Sequence, residues 1–177
     1  IKLGLIINPI AGMGGKTGLK GSDGSNTLKI ALSLGAKRES ANRAEQALLP
    51  LKFLSKKYSL ITCSGEMGQE SCNSLGLKTD FIISIGTKDT TRIDTINAVK
   101  IMVQKKVSLI LFSGGDGTAC DVYNAVQDKT PILGIPAGVK MHSSVFGTSP
   151  NAVGSIISRI ILNQSDQFPI SSAEIMD

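Results

Sequence analysis

Five consecutive residues, Gly114-Gly115-Asp116-Gly117-Thr118, set one acid among three glycines one residue after the apolar run Leu109-Ile110-Leu111-Phe112. Glycines let a backbone approach an anion closely and adopt positive φ angles that other residues resist. Consecutive amides in such a stretch can form an anion-binding nest, and a helix starting near Thr118 would add its N-terminal partial charge. A carboxylate there repels the phosphate that the loop attracts, unless it has work of its own. That work is holding a metal on the phosphates or taking a proton from an attacking hydroxyl. Gly-Asp-Gly alone is a common strand-to-helix turn; the full five-residue run after a strand points to phosphate chemistry. As an exposed loop residue, Asp116 should matter little to fold stability.

Other residues invite weaker readings. Gly12-Met13-Gly14-Gly15-Lys16-Thr17 resembles a P-loop, but Ile10 stands where that pattern needs its first glycine. Amides and Lys16 there could still cradle a phosphate; a plain surface loop is the alternative. Gly12, Gly14 and Gly18 also have a loose dinucleotide-binding spacing. A dehydrogenase would need a second strand and an acidic ribose partner about 20 residues on, and Thr27 to Ala47 reads as helix instead. His142 is the only histidine. A lone His is more often packed or capping than catalytic, but with Lys140 it lies in a glycine turn near the candidate site. Without a second His or a Cys pair no metal cage is visible.

The elements that must position these residues alternate along the chain. Apolar runs predict strands over Lys2–Ile7, Ser59–Cys63, Phe81–Ile85, Val107–Phe112 and Pro131–Ile135. Helices are expected from Asn26 to Leu34, from about Ser40 to Lys57 with Pro50 kinking or splitting it, and over Met67–Leu75, Thr118–Val126 and Ala152–Asn163. Thr91-Arg92-Ile93-Asp94 has the form of a capping box, and Ile93, Ile96, Val99 and Val103 predict the sheet-facing side of the helix that follows. The strands lack in–out alternation, so both faces should be buried. The fold class is α/β: a parallel sheet with helices on both faces.

The chain has 177 residues, enough for one domain with an ordinary core. Apolar residues make up 41%, aromatics only 4%, so Ile, Leu, Val and Ala must build that core. Lys and Arg outnumber Asp and Glu by 19 to 14 but are dispersed, which argues against nucleic acid and suits phosphate-bearing ligands. Cys63, Cys72 and Cys120 form no CxxC pair and read as reduced, small buried hydrophobes. No run is long enough for a membrane span and no signal-peptide layout opens the chain. We therefore expect a cytoplasmic protein that binds neither nucleic acid nor membrane.

The glycine-acid run resembles the signature of the superfamily that joins NAD kinases with diacylglycerol, sphingosine and 6-phosphofructokinases. Leu5-Ile6-Ile7-Asn8-Pro9 is similar to the opening strand and turn of that group. Asp121, Val122 and Asn124 fall where lipid kinases carry an acid, Val and Asn. Gly134-Ile135-Pro136-Ala137-Gly138 matches the next glycine turn, with Pro136 where NAD kinases usually have Asn. Ile10 to Gly24 and Gly134 to Pro150 look most like prokaryotic ATP-NAD kinase-like proteins. The resemblance implies an NAD kinase N-terminal domain over residues 1–165 and, from 166 to 177, the start of a crossing to a β-rich second domain outside this chain. It implies an ATP- and Mg2+-dependent phosphotransferase acting on the 2′-hydroxyl of NAD or a related compound. A homo-oligomer is expected. Asp116 would be the catalytic base. Asn8, Gly114, Gly115, Gly117, Thr118, Asp121, Asn124, Gly138, Lys140 and His142 would hold nucleotide. The acceptor and the donor, ATP or polyphosphate, stay open, as does a non-catalytic nucleotide-sensing module that kept the loop.

Overall fold

The computed structural model describes residues 1–12, 39–86, 90–138, 141–162 and 169–176. Its five strands are β1 (Lys2–Ile7), β2 (Ser59–Cys63), β3 (Phe81–Ile83), β4 (Leu109–Gly114) and β5 (Ile132–Pro136). All pair in parallel, in the order β3-β2-β1-β4-β5. The helices are α1 (Ser40–Leu48), α2 (Gln69–Leu75), α3 (Arg92–Gln104), α4 (Asp116–Val126) and α5 (Pro150–Ile161).

The expected absence of alternation has the expected consequence. Leu3, Leu5, Ile7, Leu109 and Leu111 face one core with α1 and α5, whereas Ile6, Ile110 and Phe112 face a second with α3 and α4. The fold is therefore an α/β parallel sheet covered on both faces. Two glycines let helices and rings come close to it. A side chain at Gly4 would meet Met102 Sδ at 2.7 Å, and one at Gly134 would overlap the Phe146 ring, which packs edge-on at 5.4 Å against Phe112.

Several boundaries differ from expectation. The helix predicted over 40–57 ends as α-helix at Leu48, and Leu49–Leu54, containing Pro50, continues as 3-10 helix; proline removes a backbone donor and clashes with the preceding turn. The helix predicted from Met67 starts at Gln69, because Gly68 takes a φ of +143°. β3 stops at Ile83, two residues early, and β4 is shifted to run into the glycine cluster, pairing Gly114 with Pro136. Thr91 and Asp94 do form the capping box of α3. Of the expected face, Val99 is buried and Ile96 and Val103 pack half-buried against the core, but Ile93 is 63% exposed. Thr95, Ala98 and Met102 complete the buried side, where small Ala98, and Met102 seated on Gly4, permit close approach to β1. The expected helix over 26–34, the glycine loop beyond Gly12 and Lys16 lie outside the described residues.

Candidate active site

The chain passes from β1 through β2 to β3 on one side, then to β4 and β5 on the other. The carboxyl ends of β1 and β4 thus flank the point where strand order reverses, the place where open parallel sheets bind ligands. Asn8 follows β1 and Gly115 follows β4, and they meet there. The Asn8 amide N–H donates to the Ser113 carbonyl at 2.9 Å. Its side-chain Nδ2 donates to Thr118 Oγ1 at 2.9 Å, and its Oδ1 accepts from the Ile10 amide at 3.2 Å. Asn8 therefore ties the end of β1 to the first turn of α4. Below it, the hydroxyls of Ser113 and Ser40 lie 2.9 Å apart, both buried, and lock the start of α1 to the end of β4.

The three signature glycines have different reasons to be glycine. None has a positive φ; among the described residues the positive-φ glycines are Gly12, Gly65, Gly68 and Gly76, which corrects the expectation for Gly114 and Gly115. Gly114 is crowded: a Cβ there would sit 2.5 Å from Thr118 Oγ1. Around Gly115 and Gly117 a Cβ would meet nothing within 4 Å. Gly115 caps α4 in an extended conformation, with φ −115° and ψ −167°. The first-turn amides of a helix have no intrahelical partner. Beside Gly115 and Gly117 the fold leaves room for a ligand to come close to the backbone at this helix start, a setting that fits a phosphate.

The loop after β5 closes the other side. Ala137 N–H donates to the Gly114 carbonyl at 3.1 Å, and a Cβ on Gly138 would approach Gly115 Cα at 3.6 Å. Gly12, at φ +81°, passes so close to the Ala137 carbonyl that a side chain would overlap it. Asp116 reaches across to this loop. Its Oδ2 accepts from the His142 amide at 2.8 Å and its Oδ1 from the Ser143 amide at 3.0 Å. Partial burial pushes the carboxyl up, but the nearby Ser143 hydroxyl, the bonds from the two amides and the His142 imidazole outweigh it and hold Asp116 below its ordinary value. Its place in the first turn of α4 favours the charged form too. Asp116 is thus half-buried and tied down, not the loose loop carboxylate expected.

The remaining candidates separate. Gly138 and His142 join the site, but His142 does so through its backbone; its side chain is exposed. Asp121 faces α3 and pairs with Arg92 at 2.9 Å. Asn124 is exposed, and at 1.5 Å per residue lies about 12 Å along α4 from Asp116. That distance keeps Asn124 away from the glycine loop. Lys140 lies outside the described residues. Ser143 and Ser113 went unmarked in the sequence, because a serine outside a known run carries no signal of its own; Gly12 was marked only as part of a phosphate or dinucleotide loop, not for its contact with Ala137. Among the described residues no cluster of His, Cys, Asp or Glu could hold a metal alone.

Residues 3–164 match the model of the ATP-NAD kinase N-terminal domain. The chain belongs to the ATP-NAD kinase family. Among curated proteins, none matches it. Membership in the ATP-NAD kinase family supports a kinase that uses ATP, with NAD phosphorylation as the family's general activity. No helix among the described residues is long and apolar enough to cross a membrane.

Proposed function

We propose that this ATP-NAD kinase domain transfers the γ-phosphoryl group of ATP to the 2′-hydroxyl of NAD, giving NADP and ADP. The observation that carries this reading is the pairing of open, unfilled space at Gly115 and Gly117 with a carboxylate held ionised at its edge. The amides of Gly115 and Gly117, with the N-terminal charge of α4, hold the phosphates. Asn8 and Gly114 keep Thr118 in place beside them. Mg2+ bound with ATP would neutralise charge on the phosphates.

Asp116 engages the acceptor hydroxyl. Each carboxylate oxygen already accepts one amide but retains a further lone pair. The acceptor oxygen forms a bond to the γ-phosphorus, the bond to the β,γ-bridging oxygen breaks, and ADP leaves. The hydroxyl proton passes to Asp116. A carboxylate below its ordinary pKa is a weak base, which suits a loose phosphoryl-transfer transition state where orienting the nucleophile matters most. The dinucleotide would be gripped further by a β-rich second domain reached through residues 166–177.

Steady-state kinetics of Asp116→Asn in the full-length protein test the assignment. Loss of base assistance lowers kcat by at least about a hundredfold, with nucleotide affinity much less affected because the glycine amides are untouched. Near-normal kcat in a folded variant would remove Asp116 from the chemistry. A second reading has its own support: the two amide bonds give Asp116 a structural task, as a non-catalytic nucleotide-sensing module would require. ADP production with NAD present separates the two.

A further inference from the structure

Near the end of the described chain, residues 174–176 lie across the segment that carries the Asp116 partners. Ser144 N–H donates to the Glu174 carbonyl at 2.9 Å. Met176 N–H donates to Ser143 Oγ at 3.0 Å. Cys120 Sγ, one turn along α4 from Asp116, lies 3.6 Å from the Met176 carbonyl. Between them Ile175 packs into the core shared by α3 and α4. The three residues therefore form a strap with polar ties at both ends and an apolar anchor in the middle.

Ser143 stands at the junction. Its amide donates to Asp116 Oδ1, and its hydroxyl accepts from Met176. The hydroxyl has one proton to give. It gives that proton to the Met176 carbonyl at 3.4 Å, so the strap both donates to Ser143 Oγ and accepts from it. The strap thus holds the hydroxyl, while the amide of the same residue holds Asp116 Oδ1. Ser143 is buried, so water does not compete for these bonds.

We propose that Ser143 is the positioning residue for Asp116, and that docking of the 174–176 strap on Ser143 sets the orientation of the carboxylate. The idea rests on the reading of Asp116 as the group that engages the acceptor. It adds that a segment remote in sequence, running out of the α/β domain, holds the reacting group in register. The site would then be in working order only with the strap docked.

The test compares Ser143→Ala, Ser143→Thr and Ile175→Ser in the full-length protein by kinetics, thermal melting and amide hydrogen exchange. Misplacement by about 1 Å can cost up to about a hundredfold in rate. Ser143→Ala should lower kcat by about tenfold or more within that range, with KM for ATP unchanged. Ser143→Thr, which keeps the hydroxyl, should recover most of the loss. Ile175→Ser, which loosens the strap without touching the polar ties, should lower kcat in the same direction. The decisive amide is that of His142, which bonds Asp116 but not Ser143 Oγ: its exchange should quicken in Ser143→Ala and Ile175→Ser. An unchanged kcat and an unchanged His142 amide in folded Ser143→Ala overturn the proposal, as does a parallel fall in Ala and Thr. If the wild-type protein transfers no phosphate, the reading of function fails, and the His142 amide alone decides whether Ser143 positions the carboxylate.

Discussion

Asp116 accepts two amides from residues 26 and 27 positions away, so its charge stabilises a long-range contact as well as a substrate. In Asp116→Asn one oxygen becomes a donor facing an N–H, and one of the two bonds is lost. Stability should fall by about 1–3 kcal/mol, visible as a lower Tm at pH 7. The pH dependence has a definite sign. The folded carboxyl lies below the ordinary value of 3.8, so its stabilising contribution is present above that value. It is lost as pH falls through the folded value. The Tm gap between wild type and Asp116→Asn should therefore be full at neutral pH and close in strongly acid buffer; a gap independent of pH would show that ionisation plays no part. Asp116 was legible in the sequence because an acid among glycines is conspicuous. Its partners were not, since they are backbone amides, which every residue but proline carries.

At the level of elements, glycines near one site should respond in opposite directions. Gly117 lies in the first turn of α4 with open space where a Cβ would go. Gly117→Ala should stabilise the helix by up to about 1 kcal/mol, raising Tm, while weakening ATP binding measured by titration. Unchanged affinity would mean that the space is not the phosphate cradle. Gly12→Ala should do the reverse for stability, because a positive φ and the Ala137 carbonyl both oppose a side chain; a loss of about 1–3 kcal/mol is expected, read by chemical denaturation. The elements themselves were largely legible: β1 and β2 have their expected bounds, and Pro50 marks the break in the helix it interrupts. The buried face of α3 was legible only in part, since apolar residues occur on more than one side of it and packing against Gly4 decides between them.

For the molecule as a whole, the parallel sheet followed from uniformly apolar strands, but the order β3-β2-β1-β4-β5 did not. Buried parallel strands look alike in sequence, and nothing local says which neighbour each will take. That order matters for function, because it brings Asn8 and Gly115 together at the reversal point. The proposal that a second domain completes the acceptor site leads to a further expectation. The 177-residue chain alone should bind adenine nucleotide weakly and turn over little or no NAD; full conversion to NADP by this piece would refute a shared acceptor site.

The placement of the three cysteines makes a chemical reporter of the strap. Cys63 and Cys72 are buried in the two separate cores, and burial pushes both thiols up to about 12, so neither offers thiolate to a reagent near neutral pH. Cys120 is half-buried, with the Met176 carbonyl beside its sulfur. A colorimetric thiol reagent added to the native chain should therefore modify one cysteine of the three, at a rate governed by how often residues 174–176 lift away. Nucleotide that holds the strap down would slow that labelling, and loosening the Ile175 anchor would speed it. The opening of the site's edge could then be timed in a cuvette, with no dye or spin label engineered into the protein.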